Sequence, residues 1–343
     1  MRKIGLFAAV LISLFGNNML HVIAISDRTE SSIEVFFNNP YEQHRDDTLQ
    51  SMILEEIENA ESRIYVATYN FTDTKTAQAL IQAFKRGVEV RIVIHAENSD
   101  SDVMKDLARS GIKIQKSNSD GLMHAKFIVI DYDLTISGSA NMTPGSFFYD
   151  NNFMFRIVSS EMNSIFLNEF NEMFISKKFG SNSPKTKSSP TITLEDGTKI
   201  LIRFAPEDNI SNSLLSLIQA SKKSIYVLAY SFASNDLGNA LIDRYDDGLD
   251  IKVIFEGEKA FSDSGGEARY LEKAGVPIFM DGSDDSLMHE KVFIFDESVV
   301  SAGSYNFTRS ADTKNDEQIL IVQNKEIVDA FLDEFDKIYE EAK

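Results

Sequence analysis

The chain repeats itself. Ile64-Tyr65-Val66-Ala67-Thr68-Tyr69-Asn70-Phe71 returns 161 positions later as Ile225-Tyr226-Val227-Leu228-Ala229-Tyr230-Ser231-Phe232. At the same offset Ala79-Leu80-Ile81 matches Ala240-Leu241-Ile242, and Gly87 with the β-rich run Val88 to Ile94 matches Gly248 with Leu249 to Phe255. Such internal similarity is the first constraint on a fold, because whatever one half builds the other must build too. Each copy reads as strand, helix, strand: two β-rich runs flank a segment with helical apolar spacing that stops at Gly87 or Gly248. A βαβ unit with parallel strands follows.

Each half opens with a β-like run (Ile33 to Phe37; Lys199 to Phe204) and a helix-like one (Leu49 to Ala60; Leu214 to Ala220). Each closes on an amphipathic helix candidate, Met162 to Phe174 and Glu326 to Tyr339. Between them, Ser176 to Pro190 is polar and reads as a linker. The expected organisation is a first α/β domain over 27–175, a linker over 176–190 and a second α/β domain over 191–343. A length of 343 residues suits two such cores. Residues 1–26 read as a secretory signal: Arg2 and Lys3 precede the apolar run Ile4 to Gly16, and Ala24, Ile25 and Ser26 resemble a cleavage site. Secretion or a periplasmic location is therefore expected.

One polar pattern recurs in full. His124-Ala125-Lys126, four residues, Asp131, six residues and Gly138-Ser139-Ala140-Asn141 match His289-Glu290-Lys291, Asp296 and Gly303-Ser304-Tyr305-Asn306 at an offset of 165. Thr143 and Thr308 extend the match, and Leu-Met precedes both histidines. His44 and His95 have no histidine counterpart. In an extended strand, alternate residues share a face, so each histidine projects with its lysine. Asp131 and Asp296 fall where the following apolar strands end. If the halves pack around a two-fold axis, the two His-x-Lys faces meet in one cleft. Two imidazoles, two ammonium groups, two amides and two hydroxyls suit a phosphodiester, whose transition state carries extra negative charge.

Composition narrows the chemistry. The absence of cysteine excludes disulfides, thiolate metal sites and cysteine nucleophiles. With 53 acidic against 34 basic residues, the net charge is -19, which disfavours a long DNA-tracking groove and requires a local cationic pocket for any phosphate. The acidic segments Glu97 to Asp102 and Asp281 to Asp285 lack the order of a calcium loop, and no metal or organic cofactor is expected. Gly145-Ser146-Phe147-Phe148-Tyr149 places aromatic residues beside the expected cleft mouth, where they could meet acyl chains, stack on bases or pack in the core.

The doubled motif resembles the signature of the phospholipase D superfamily, His-x-Lys-x4-Asp-x6-Gly-Ser-x-Asn, from about Ile33 onward. The resemblance implies two tandem α/β domains, each a mixed sheet flanked by helices, with one active site at their pseudo-two-fold interface. It also implies a metal-independent, two-step exchange through a phosphohistidine. By that resemblance His124 is the nucleophile and His289 the general acid and base. Lys126, Lys291, Asn141 and Asn306 bind phosphate oxygens, and Ser139 and Ser304 are supporting donors. The family pattern continues with Asn315 and Glu317, the latter orienting His124 across the halves; the first half has Asp150 and Asn152 instead, which leaves Asp150 as the candidate carboxylate for His289. Asp131, Asp296, Gly138 and Gly303 read as structural. Phospholipid headgroup hydrolysis at a membrane surface by a monomer is the expected activity. DNA or RNA cleavage is the alternative, followed by phosphatidyl transfer or noncatalytic phosphate binding.

Overall fold

The structure is a computed structural model that describes residues 30–38, 49–185, 190–261, 266–282 and 286–343. The expected signal segment and His44 lie outside the described residues.

The first half contributes strands β1 (Ser32–Asn38), β2 (Arg63–Thr68), β3 (Glu89–Ile94), β4 (Lys113–Lys116), β5 (Phe127–Ile130), β6 (Leu134–Gly138) and β7 (Asn152–Val158). Its helices are α1 (Leu49–Asn59), α2 (Thr74–Arg86), α3 (Asp102–Arg109), α4 (Pro144–Phe148) and α5 (Ser160–Phe174). The second half contributes β8 (Ile192–Thr193), β9 (Lys199–Ala205), β10 (Ser224–Ala229), β11 (Phe232–Ala233), β12 (Asp250–Phe255), β13 (Ile278–Met280), β14 (Lys291–Phe295), β15 (Val299–Gly303), β16 (Phe307–Thr308) and β17 (Glu317–Gln323). Its helices are α6 (Ile210–Ala220), α7 (Asn235–Asp246), α8 (Gly257–Ala260), α9 (Ala268–Lys273), α10 (Arg309–Thr313) and α11 (Lys325–Glu341).

The two main sheets have one plan. The first runs β1-β7-β6-β5-β2-β3-β4, and the second runs β13-β12-β10-β14-β15-β17-β9-β8. In each, a parallel trio formed by the βαβ repeat joins an antiparallel set, so the sheets are mixed. Strand β8 is an additional edge strand of the second sheet, and β11 and β16 form a small parallel pair.

Strand parity sorts the core into layers. Phe127 and Val129 of β5 face a central core, whereas Ile128 and Ile130 face an outer one; Val292 and Ile294 of β14 repeat the first assignment, and Phe293 and Phe295 the second. The outer cores are closed by α1, α2 and α3 on one side and by α6, α7 and α9 on the other. The central core is shared by both sheets and by α5 and α11. Phe331 of α11 packs edge-on to Phe37 and Phe153 of the first sheet, and Phe166 of α5 packs edge-on to Phe204 of the second. Each closing helix thus touches the opposite half, and the layers run helix, sheet, helix pair, sheet, helix.

Local signals set the helix ends. Asp73 caps α2 by accepting the Thr76 N–H, and Gly87 ends it in the left-handed region at φ 100°. Ser159 and Asn324 cap α5 and α11, which begin at Ser160 and Lys325, slightly before the apolar periodicity. The segment expected to be a linker is packed rather than free over its described part. Phe179 lies in the central core, and the Gly180 N–H donates to Asp316 Oδ1 at 2.6 Å.

Candidate active site

The motif strands of the two halves touch through reciprocal contacts. Met123 pairs with Asp316 in a parallel bridge, and Met288 pairs with Asn151. The His124 N–H donates to Asp316 O at 2.9 Å, and the His289 N–H donates to Asn151 O at 3.1 Å. Each contact is the other shifted by one repeat, which is the relation that an approximate two-fold axis imposes. Both histidines are thereby drawn to the seam. Each imidazole feels the charge of both lysines, and His289 also feels His124.

The catalytic candidates are almost wholly buried. His124 and His289 are 6% and 8% exposed, Lys126 and Lys291 at most 1%. Each lysine ammonium donates to the carbonyl of its own motif histidine, at 2.5 Å. Each also lies against a tyrosine face: Lys126 Nζ is 5.6 Å from the Tyr69 ring and Lys291 Nζ is 4.4 Å from Tyr230. The same tyrosines sit edge-on to the histidines, at 5.2 Å for His124 and 4.7 Å for His289. Tyr69 and Tyr230 belong to the repeated strand, yet the sequence reading gave them no role. Their signal was recurrence of an aromatic just beyond the end of a strand that neighbours the motif.

Electrostatics follow from burial. Desolvation pushes His124 down to about 4, although Glu317 works in the opposite direction. Lys126 is pushed down to about 7 by burial, again partly offset by Glu317. His289 falls well below the ordinary histidine range through burial and then through Lys291, Lys126 and His124. Lys291 is likewise depressed by burial and by Lys126. The seam thus buries two imidazoles beside two lysines, and burial disfavours the charged form of all four.

The residues behind the histidines differ between halves. His124 Nδ1 meets Glu317 Oε2 at 2.8 Å, across the seam. Burial would raise this carboxylate, but His124 and Lys126 bring it below the ordinary range. His289 Nδ1 meets Asn152 Oδ1 at 3.0 Å. The Asn152 amide nitrogen donates to Ser146 O, which leaves Oδ1 as the acceptor for the imidazole. Both contacts place the hydrogen on Nδ1 and leave the lone pair on Nε2.

Two expectations need correction. Asp150 does not orient His289; its carboxylate accepts the Leu287 N–H at 3.3 Å, and Asn152 takes the imidazole. The hydroxyls of Ser139 and Ser304 are not spare phosphate donors. Both side chains are buried, and they donate to Asn152 Oδ1 at 2.9 Å and Glu317 Oε2 at 2.6 Å. They accept the N–H groups of Phe153 and Gln318, so each hydroxyl ties the orienting residue to its strand. The aromatic run divides among its expected fates: Phe147 packs in the first outer core, and Tyr149 is exposed.

Asn141 and Asn306 are half-buried, and their Oδ1 atoms carry no hydrogen bond. Asp131 and Asp296 turn away from the seam. Each adopts positive φ and collects successive backbone N–H groups, from Glu61, Ser62 and Arg63 in one half and from Lys222, Lys223 and Ser224 in the other. They pin the starts of β2 and β10. Gly138 and Gly303 permit close strand approach, since a Cβ there would lie 2.2 Å from Phe153 O and 2.0 Å from Gln318 O.

Two further groups hold the site. Asn315 accepts the Leu122 N–H and donates to Glu317 Oε1, linking the first motif to the carboxylate. The Gln318 amide accepts the Lys126 N–H at 3.0 Å and donates to the Lys126 and Gly138 carbonyls, so it serves as a short strand partner across the seam. Its repeat position is Phe153, so no recurrence pointed to it.

Comparison with known proteins agrees with the geometry. The family described as cardiolipin synthase, PLD-like domain, matches residues 53–174 and again 214–339. The chain belongs to the phospholipase D-like family. Among curated relatives of this phospholipase D-like protein, mitochondrial cardiolipin hydrolase from Mus musculus is 33% identical over 135 residues, covering 39% of this chain and 60% of the relative. Phospholipase D from Rickettsia bellii is 27% identical over 135 residues, covering 39% and 66%. The chain thus spans less than two thirds of the length of these relatives. Phosphatidylserine synthase from Haemophilus influenzae shares the fold at a TM-score of 0.69 over 92% of this chain and 89% of its own, with 13% identity.

Proposed function

We propose that this protein cleaves the headgroup phosphodiester of phospholipids, leaving phosphatidic acid and a free alcohol, through a phosphohistidine on His124. The observation that carries the reading is the seam: two histidines from different halves, each held at Nδ1 by a residue of the opposite half, feel the same two buried lysines. In the first step His124 Nε2 attacks phosphorus, the bond to the alcohol oxygen breaks, and His289 gives that oxygen its proton. In the second, His289 takes a proton from water, the water oxygen attacks phosphorus, and the bond to His124 breaks.

The electrostatics support an order of events. Burial first, and then the charge of Lys291 and Lys126, lowers the proton affinity of His289, and a phosphate anion in the seam would offset the lysine part. Substrate binding therefore favours protonation of the general acid. Lys126, Lys291, Asn141 and Asn306 are the proposed phosphate ligands.

The lipid assignment is supported by the relatives named phospholipase D and cardiolipin hydrolase and by the net charge of -19. The test offers the protein phosphatidylcholine vesicles, cardiolipin vesicles and single-stranded DNA separately, in EDTA. Headgroup release without nicking supports the proposal. Nicking without headgroup release overturns it, and alcohol exchange without hydrolysis would make the enzyme a transferase.

A further inference from the structure

The repeat pairs His95 with Glu256, each immediately after the middle strand of its parallel trio, at the ends of β3 and β12. The two side chains have the same task. His95 Nδ1 accepts the Met123 N–H at 3.3 Å, and Glu256 Oε2 accepts the Met288 N–H at 2.7 Å. Met123 and Met288 directly precede the two motif histidines. The surroundings also correspond: the Ser117 hydroxyl accepts the Ala96 N–H, and Asp281 Oδ1 accepts the Gly257 N–H. Each motif is thus hung from a buried acceptor at the end of the neighbouring parallel strand.

We propose that His95 is a positioning residue that makes the first motif sensitive to acid while the second, hung from Glu256, is not. The difference is chemical. A carboxyl group keeps an acceptor oxygen whether or not it is protonated, whereas an imidazole loses its only acceptor on gaining a proton. In His95⁺ the new Nδ1–H would oppose the Met123 N–H and the chain leading to His124 would lose its support.

The groups that face His95 set the response. Glu97 Oε2, on its own loop, lies 4.0 Å from Nε2 and favours the charged form. From the end of β2, Tyr69 stacks on the ring at 5.1 Å, and His124 and Lys126 lie against that tyrosine. From the end of β4, the Ser117 hydroxyl approaches Nδ1 at 3.3 Å. His95 is 5% exposed, and its burial favours the neutral form more strongly than Glu97 opposes it. Tyr69 also couples the anchor directly to the reacting histidine, since one ring touches both imidazoles.

The proposal rests on the reading of His124 as the reacting residue, so the experiment has one readout that depends on activity and one that does not. Hydrolysis of bis(4-nitrophenyl) phosphate is followed from pH 4 to 9 in wild type, H95A, H95Q and E97Q. Hydrogen exchange of the segment containing Met123 is compared among them at matched pH. H95A should lose about tenfold at pH 8, because a buried N–H is left without its acceptor, and H95Q should restore most of that loss through its amide oxygen. The acid limb of H95Q should lie below that of wild type. E97Q should shift the limb the same way with an unchanged rate at pH 8, since Glu97 raises the affinity of His95 for its proton. In exchange, wild-type protection around Met123 should fall relative to H95Q as the pH drops. Identical acid limbs and identical protection in wild type and H95Q would overturn the proposal. If no variant hydrolyses the phosphodiester, the functional reading fails, and the exchange comparison still decides whether His95 is an acid-labile anchor.

Discussion

Replacing Glu317 with glutamine would convert the first histidine's support into the kind the second already has, a neutral amide like Asn152. The protein therefore contains its own control for the value of the charge. Glu317 is buried, meets His124 Nδ1 at 2.8 Å, and accepts from Ser304 and Asn315. A hydrogen bond to a buried charged acceptor contributes about 1.5–3 kcal/mol, against about 1 for a neutral one. As His124 gains positive character during attack, the whole difference plus the lost attraction falls on the transition state. At about 1.4 kcal/mol per tenfold, E317Q should lower kcat/KM by roughly 10- to 200-fold. The pH dependence has a definite sign. Glu317 raises the proton affinity of His124 against the burial that lowers it to about 4, so in the H95Q background, where His95 no longer sets the acid limb, its removal must move that limb to lower pH. The assay is kcat/KM for a phosphodiester between pH 4 and 9, with thermal unfolding to confirm that the fold survives. A rate within twofold of wild type, or an acid limb displaced upward, would refute the reasoning.

Other outcomes follow from the same geometry. H289A, offered a substrate whose leaving group needs no proton, should accumulate on His124 the phosphoryl group with its remaining ester, visible as a mass increase of the peptide that contains it; H124A should show neither turnover nor label. S304A should lower the rate about fivefold by loosening Glu317, a smaller effect than E317Q, because the carboxylate stays on His124 and only part of the roughly 1.5–3 kcal/mol of the lost hydrogen bond falls on the transition state. D131A should reduce unfolding free energy by about 1–3 kcal/mol while leaving KM unchanged, since the lost N–H contacts lie at the start of β2 and not at the seam. Chemical denaturation together with steady-state kinetics would separate these two effects.

What was legible in the chain was legible because it occurs twice. The strand containing Tyr65 and its copy containing Tyr226, the helix stops at Gly87 and Gly248, and the motifs at His124 and His289 all announced themselves by recurrence. The unbroken apolar runs Phe127 to Ile130 and Val292 to Phe295 read as buried strands, and the structure then shows their residues alternating between two cores. Asn315 and Glu317 followed from the family resemblance, and the structure places Glu317 on His124. The choice between Asp150 and Asn152 was not legible. Only the fold shows that Asn152, the first residue of β7, meets His289, whereas Asp150, which precedes the strand, accepts from Leu287.

The broken symmetries were the least readable part. Gln318 against Phe153, and His95 against Glu256, look like ordinary divergence until the backbone shows each side chain satisfying an N–H that belongs to a distant segment. By itself the order of amino acids determined the duplication, the runs of strand and helix and the chemical inventory, because these depend on local periodicity and residue type. Tertiary structure alone decided which hydroxyls were already committed, which amide stood behind which imidazole, and how strongly burial and neighbouring charge shifted each proton. Those properties depend on distances of a few ångströms between groups more than a hundred residues apart, and no local pattern encodes them.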